Sequence, residues 1–386
     1  MKKLHQYLLT LFAPLLLTIS CSCNSLLGTD SERPIWQTRI GFGSLIFATS
    51  PIQELSNGTL YAGIREPNTV LYLIDKSTGT IQWEWSDWIT SRESVLLNDF
   101  YVYQNTLLFQ NGQNTYALNA QTGKTLWRVQ HQSDGRLVTG LGNTFFFTPK
   151  AINIAYGNVQ TGTYSEIFSL EEPSGIRVGL KTPVPFLGQS GDTMLITARG
   201  GLNLMNSTPT PTYLMLYNLT KRQLVYDSLQ QANSVNKLPQ IVGNKVYMDI
   251  GRSLQCNDLW TGKLLWKRDF ENSFLVSGLT VSDGKVFAGC EDTNFYCLDA
   301  ETGSTLWQLN GIVGGSHKPF VMNGVVYFTR TLLYAVDIQT GQYLWKRECP
   351  EQAQNGSVYF FGRVTGSNGR IYCQSYKSAY CYKAAR

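Results

Sequence analysis

One nine-residue pattern, Asp-x-x-Thr-Gly-x-x-x-Trp, recurs through the chain and limits its fold more than any other feature. It runs from Asp75 to Trp83 around Thr78-Gly79, and returns at Asn119 with Trp127, Asp258 with Trp266, Asp299 with Trp307 and Asp337 with Trp345. Two further copies are degraded. The copy at Asn158 keeps Thr161-Gly162 but has Glu166 where Trp is expected, with Phe168 as a substitute; the copy at Asn218 ends on Tyr226 and replaces Thr-Gly by Lys221-Arg222. Successive copies start 44, 39, 60, 40, 41 and 38 residues apart. A sustained period of this length marks a repeat architecture rather than a string of unrelated domains.

Each copy reads as a β-hairpin. Apolar alternation before the first residue, as in Phe295-Tyr296-Cys297-Leu298, describes a half-buried strand. The Asp or Asn side chain accepts backbone N–H groups in the turn, and Gly takes the positive φ that closes it. Trp, eight residues after the Asp, is a large flat group suited to packing between sheets. A second hairpin precedes each copy, with turns such as Asp283-Gly284 and Asn323-Gly324. About four short strands per 40 to 45 residues is the spacing of a β-propeller blade.

The chain ends supply the closure. Tyr380-Cys381-Tyr382 resembles the strand before the Asp, but the chain stops four residues later with no Thr-Gly turn and no Trp. The missing strand is found at Pro34-Ile35-Trp36, so residues near 34 to 39 are expected to complete the blade begun near residue 348. Closing the ring this way removes open sheet edges. Six of the nine Trp (36, 83, 127, 266, 307, 345) occupy one repeat position. The expected fold is therefore all-β: an eight-bladed β-propeller over residues 34–386, or seven blades if the degraded copies do not form sheets.

The first twenty residues read as an export signal: Lys2 and Lys3, then an apolar stretch from Tyr7 to Ile19, too short to span a bilayer. Small residues lead into Cys21. The stretch Thr18-Ile19-Ser20-Cys21 resembles a bacterial lipoprotein signal, which implies lipidation of Cys21, a membrane anchor and a polar tether over residues 21–33; the resemblance departs at Thr18, where Leu, Val or Ile is usual. Plain secretion is the alternative. Without Lys2 and Lys3 the net charge falls from +5 to about +3, and no basic cluster stands out, so nucleic-acid binding is not expected.

The repeat resembles those of pyrroloquinoline-quinone (PQQ) propellers, a fold used by both dehydrogenases and non-enzymatic proteins. An exported lipoprotein of this length with one eight-bladed ring is most similar to the BamB family. That resemblance implies a scaffold in outer-membrane β-barrel assembly, at the periplasmic face of the outer membrane, binding a BamA-like barrel subunit through loops of the middle blades. On this chain the partner loop corresponds to Leu180-Lys181, with Lys in place of Arg, and a second acidic element corresponds to Ser234 and Asn236, where both acids are missing. An interaction protein with another partner is therefore the competing reading.

An enzyme of the quinoprotein type would need Glu and Asn ligands for Ca²⁺, an Asp base and commonly an adjacent Cys pair. No two cysteines are adjacent. His131 and His317 fall in different blades and read as surface groups, and most Asp residues are taken by the turns. No cofactor, metal site or catalytic residue is expected.

Three places remain. Cys373 and Cys381 lie on successive strands of one hairpin, and the alignment of Ile371-Tyr372 with Val286-Phe287 predicts a cross-strand disulfide, with small buried thiols as the alternative. The long interval between Asn158 and Asn218 contains Leu204-Met205 at an elongated hairpin tip, a candidate contact. Trp88, outside the repeat position, either anchors a partner or covers a blade junction.

Overall fold

The repeated Asp-x-x-Thr-Gly stretches fold as the tight turns between the third and fourth strands of successive sheets. The Asp75 carboxylate accepts the backbone N–H groups of Ser77 and Thr78, both at 2.8 Å, and Gly79 closes the turn at φ 76°. Asn119, Asn158, Asp258, Asp299 and Asp337 accept in the same way. The hairpin turn before each copy is equally local: Asp283 and Gly284 both have positive φ, 52° and 70°, which matches the twist of the paired strands.

In the computed structural model, residues 33–386 are described apart from 42–51, 66–67, 90–99, 112, 132–137, 151, 170–175, 204–210, 231–237, 251, 271–277, 313–316 and 353–357. The described strands form eight antiparallel sheets. Seven are consecutive meanders and define blades 1 to 7: residues 53–85, 101–130, 139–169, 176–230, 240–269, 280–309 and 320–347. Blade 8 joins the two ends of the chain. Its three inner strands are Phe360–Ser367, Arg370–Ser375 and Ser378–Lys383, and its outer strand is Trp36–Arg39. Trp36 sits opposite Cys381, as Trp266 sits opposite Cys256 and Trp307 opposite Cys297. The N-terminal strand thus takes the repeat register that the sequence implied.

Eight hydrophobic clusters fill the seams, one between each pair of neighbouring blades, including blades 8 and 1. The ring is closed. At six seams the same device recurs. The repeat Trp of one blade lies on the Gly of the next blade's turn, and its indole N–H donates to the carbonyl of the residue after the Asp or Asn. Trp36 reaches Lys76, Trp83 reaches Ala120, Trp127 reaches Val159, Trp266 reaches Ala300 and Trp307 reaches Ile338, at 2.9–3.1 Å. Tyr226 does the same with its hydroxyl, 3.0 Å from the Leu259 carbonyl. Glycine is required at these turns for space as well as conformation: a Cβ on Gly303 would lie 2.5 Å from the Trp266 ring.

Two seams lack the device. Between blades 7 and 8 no turn exists for Trp345 to meet. Instead the C-terminus folds back: Ala385 N–H donates to the Tyr327 hydroxyl at 2.9 Å and Arg386 pairs with Asp337 at 2.8 Å. Arg347 stacks its guanidinium on Trp345, 4.2 Å from the ring. Between blades 3 and 4 the change is in register. The bulge that normally sits beside the Trp has moved along the strand, so Glu166 lies opposite Ala155 and exposed, while Phe168 lies opposite Ile154 and packs on Tyr217 of blade 4 at 5.1 Å. Phe168 therefore takes the place of the repeat Trp beside the buried cluster of this seam.

The expected Cys373–Cys381 bridge is not formed. Tyr372, not Cys373, is the partner of Cys381, and Cys373 lies opposite Tyr380. One residue of offset turns a side chain to the other face of a sheet. Cys373 accordingly packs in the seam with blade 7 and Cys381 in the seam with blade 1; both are buried free thiols.

Candidate functional site

An antiparallel four-strand meander puts its first and third turns at one end and its second turn, with the links to the next blade, at the other. The ring therefore has a turn face, carrying the Thr-Gly turns, and a link face. Blade 4 is the one that departs from the pattern. Its second strand, Thr193–Asn203, is long enough to pair with two inner strands, Ile176–Leu180 and Val184–Leu187. The break between them falls at Lys181-Thr182-Pro183 on the link side, because proline has no N–H to give a ladder.

The sequence singled out Leu180 and Lys181, and the structure separates their roles. Leu180 is 7% exposed and belongs to the cluster between blades 3 and 4. Lys181 is held by its backbone: its N–H donates to Ala198 at 2.9 Å and its carbonyl accepts from the Thr197 hydroxyl at 2.6 Å. The Pro183 carbonyl accepts from Thr139 of blade 3 at 2.5 Å, which fixes the segment to its neighbour. The Lys181 side chain is exposed to solvent, yet enough protein surrounds it to lower its pKa, with Asp249 acting in the opposite direction. Lys181 is thus an exposed cation on a backbone held by hydrogen bonds, at the link side of blade 4. Leu204, Met205, Ser234 and Asn236 lie outside the described residues, as does Cys21.

Trp88 covers a junction. It packs edge-on against Trp85 at 4.5 Å and Tyr116 at 5.5 Å, and its indole N–H donates to the Thr69 carbonyl at 2.7 Å. The ring is partly buried over the seam between blades 1 and 2. His131, read from the sequence as a surface group, is instead 6% exposed between blades 2 and 3. It lies 4.5 Å from the Phe147 ring and 2.8 Å from the Thr115 hydroxyl, and burial pushes its pKa down to about 4. The turn carboxylates are held low by their hydrogen bonds, Asp337 at about 2.

Among the described residues no three His, Cys, Asp or Glu side chains gather as a metal site. A groove of about 360 Å³ opens instead on the turn face between blades 4 and 5, lined by Phe186, Leu187, Ile241, Asn244, Leu259 and Trp260. Sequence reasoning passed over it. Its signal was Trp260, an aromatic at a turn position where Ser77, Gln121, Gln160, Glu301 and Gln339 are polar.

A closed ring of eight blades, joined seam by seam through Trp and Thr-Gly repeats, defines a PQQ-like repeat propeller. The chain belongs to the family described as outer membrane protein assembly factor BamB, whose model matches residues 25–174 and 223–386. A Yersinia pestis outer membrane protein assembly factor BamB is 20% identical over 373 residues, covering 86% of this chain and 89% of that protein. The crystal structure of BamB from Moraxella catarrhalis superposes with TM-score 0.62 at 13% identity, covering 91% of this chain and 99% of that one. A europium-containing methanol dehydrogenase superposes with TM-score 0.61 at 12% identity, covering 88% of this chain and 84% of the enzyme. Similarity at this level shows the fold alone.

Proposed function

We propose that this chain is a non-catalytic scaffold lipoprotein of the bacterial cell envelope, acting in outer-membrane β-barrel assembly through contact with a BamA-like subunit. The observation that carries the reading is family membership across most of the chain, residues 25–174 and 223–386, on a single ring. The chemistry of the residues agrees. Asp75, Asp258, Asp299 and Asp337 are engaged by backbone N–H groups of their own turns, and groups so engaged are poor bases. The broken inner strand of blade 4, with Lys181 on the link face, is the partner surface we favour, together with Ser234, Asn236, Leu204 and Met205. Anchoring is through an acylated Cys21.

A crosslinked pull-down of the tagged chain from native membranes tests this. A BamA-like barrel protein is expected among the recovered proteins, with Cys21→Ala losing the membrane fraction. A membrane-bound bait that recovers no barrel protein would overturn the partner. The enzyme reading makes an opposite prediction: reconstitution with PQQ and Ca²⁺ would give dye-linked dehydrogenase activity on alcohols or aldoses, and no such activity is expected.

A further inference from the structure

The turn face of blades 4 and 5 differs from the rest of that face. Leu187 is 62% exposed at the tip of one turn and Val242 is 41% exposed at the next. Trp260 stands beside them, its ring 5.9 Å from Phe186 and its indole N–H donated to the Asn244 side chain at 3.0 Å. The outer strands of the same two blades start at this face with exposed Leu224, Val225, Leu264 and Leu265. That position is exposed and apolar in other blades too, at Leu126, Leu306 and Leu344, so Leu187, Val242 and Trp260 are what set this part of the face apart. Cations are interleaved with these groups. Lys221 pairs with Asp192 at 2.9 Å and Lys245 pairs with Glu301, but Arg222 and Lys263 carry no ion pair among the described residues.

The chain's entry into the ring bears on what covers this surface. The outer strand of each blade runs away from the turn face, and Trp36–Arg39 occupies that position in blade 8. Pro34, just before that strand, therefore lies at the turn face. The twelve residues between Cys21 and Pro34 reach at most roughly 40 Å, so an anchor at Cys21 holds the turn face within that distance of a bilayer.

We infer that the turn face of blades 4 and 5 docks on an anionic lipid surface. Leu187, Val242 and Trp260 enter the boundary between headgroups and acyl chains, while Arg222 and Lys263 meet lipid phosphates. Protruding aliphatic side chains and a tryptophan, rimmed by unpaired cations, are the combination that partitions there. The inference is independent of the partner on the link face.

An environment-sensitive fluorophore on Leu187→Cys tests it. The six described cysteines are buried free thiols, and Cys23→Ser removes the remaining leader thiol, so labelling is directed to position 187. The full chain, as its host processes it, is placed with phosphatidylcholine vesicles with or without phosphatidylglycerol. Blue-shifted, brighter emission is expected only with phosphatidylglycerol, and the same label on Leu229→Cys, exposed near the link end of the outer strand of blade 4, is expected to stay water-like. Arg222→Glu with Lys263→Glu should weaken docking roughly 25-fold or more, about fivefold per cation. Water-like emission at 187 in the anionic vesicles overturns the inference, as does shielding that appears only when envelope proteins are added. Should the labelled variant fail to fold, quenching of the unlabelled chain by brominated phosphatidylglycerol, compared with Trp260→Phe, reads the same surface.

Discussion

The seam between blades 5 and 6 and the seam between blades 3 and 4 solve one packing problem in two ways. At the first, Trp266 covers Gly303, and the Ala300 carbonyl accepts from both the Trp266 indole at 3.0 Å and the Tyr247 hydroxyl at 3.1 Å. At the second, Arg222 stands where glycine is expected, at φ 53°, and no indole reaches the turn. The strand has slipped its bulge so that Phe168 fills the gap at the outer strand by ring packing, and the polar tie between these blades lies at their inner strands, from Thr139 to the Pro183 carbonyl. At the first seam a polar contact ties the outer strand to the next turn; at the second the polar tie is confined to the inner strands. The second seam is also where the extra inner strand of blade 4 is inserted. The difference teaches that the repeat is a joint, and that the blade carrying the partner candidates follows the joint built without it.

The largest effect expected is at the stapled seam. Trp266→Ala should cost about 3–5 kcal/mol in a urea or thermal unfolding experiment, against about 1–2 kcal/mol for half-buried Phe168→Ala. Equal losses would mean that the indole contact adds nothing to the seam.

Next comes acid sensitivity at the seam between blades 2 and 3. His131 has a folded pKa of about 4, below the unfolded value near 6.5. The unfolded chain therefore binds the extra proton first. Stability should be full above about pH 6.5 and fall toward pH 4 by roughly 1.4 kcal/mol per pH unit, about 3 kcal/mol in all. His131→Gln, which keeps an acceptor for Thr115, should flatten that slope, and an unchanged slope would assign it elsewhere.

The turns sharpen the comparison at a smaller scale. Gly303→Ala should cost about 2 kcal/mol, from positive φ and displacement of the Trp266 ring. The matching change at the loose seam, Arg222→Gly, should leave stability within about 1 kcal/mol. Smallest is Asp299→Asn, expected within about 1 kcal/mol at neutral pH because Asn119 and Asn158 already serve the same turn. Asp299 has a lowered pKa from the Thr302 hydroxyl and backbone bonds. Its contribution is present above about pH 4 and lost as pH falls through the folded value, a loss the Asn variant should not show.

Most of the ring was legible because a Trp in five of the seven copies marks one register, and Trp36 at the far end of the chain carried the same mark. What was not legible depends on offsets too small for spacing to resolve. Cys373 and Cys381 were read as opposite because the hairpin was aligned one residue out, which reverses a face. Phe168 was recognised as a substitute, but the moved bulge that turns it inward has no sequence signal. Leu180 and Lys181 read alike as loop residues; the break at Pro183 leaves one in the core and one in solvent. Trp260 was hidden because it lies inside a turn already explained by Asp258 and Gly262.

Lys181 offers the most direct test of the scaffold reading. A photo-crosslinking amino acid at position 181 in the full chain, activated in intact envelopes, is expected to give an adduct with a BamA-like barrel subunit, while the same group at exposed Leu126 gives none. Adducts with that subunit from Leu126 but not from position 181, or none at all from membrane-bound chain, would contradict blade 4 as the partner surface.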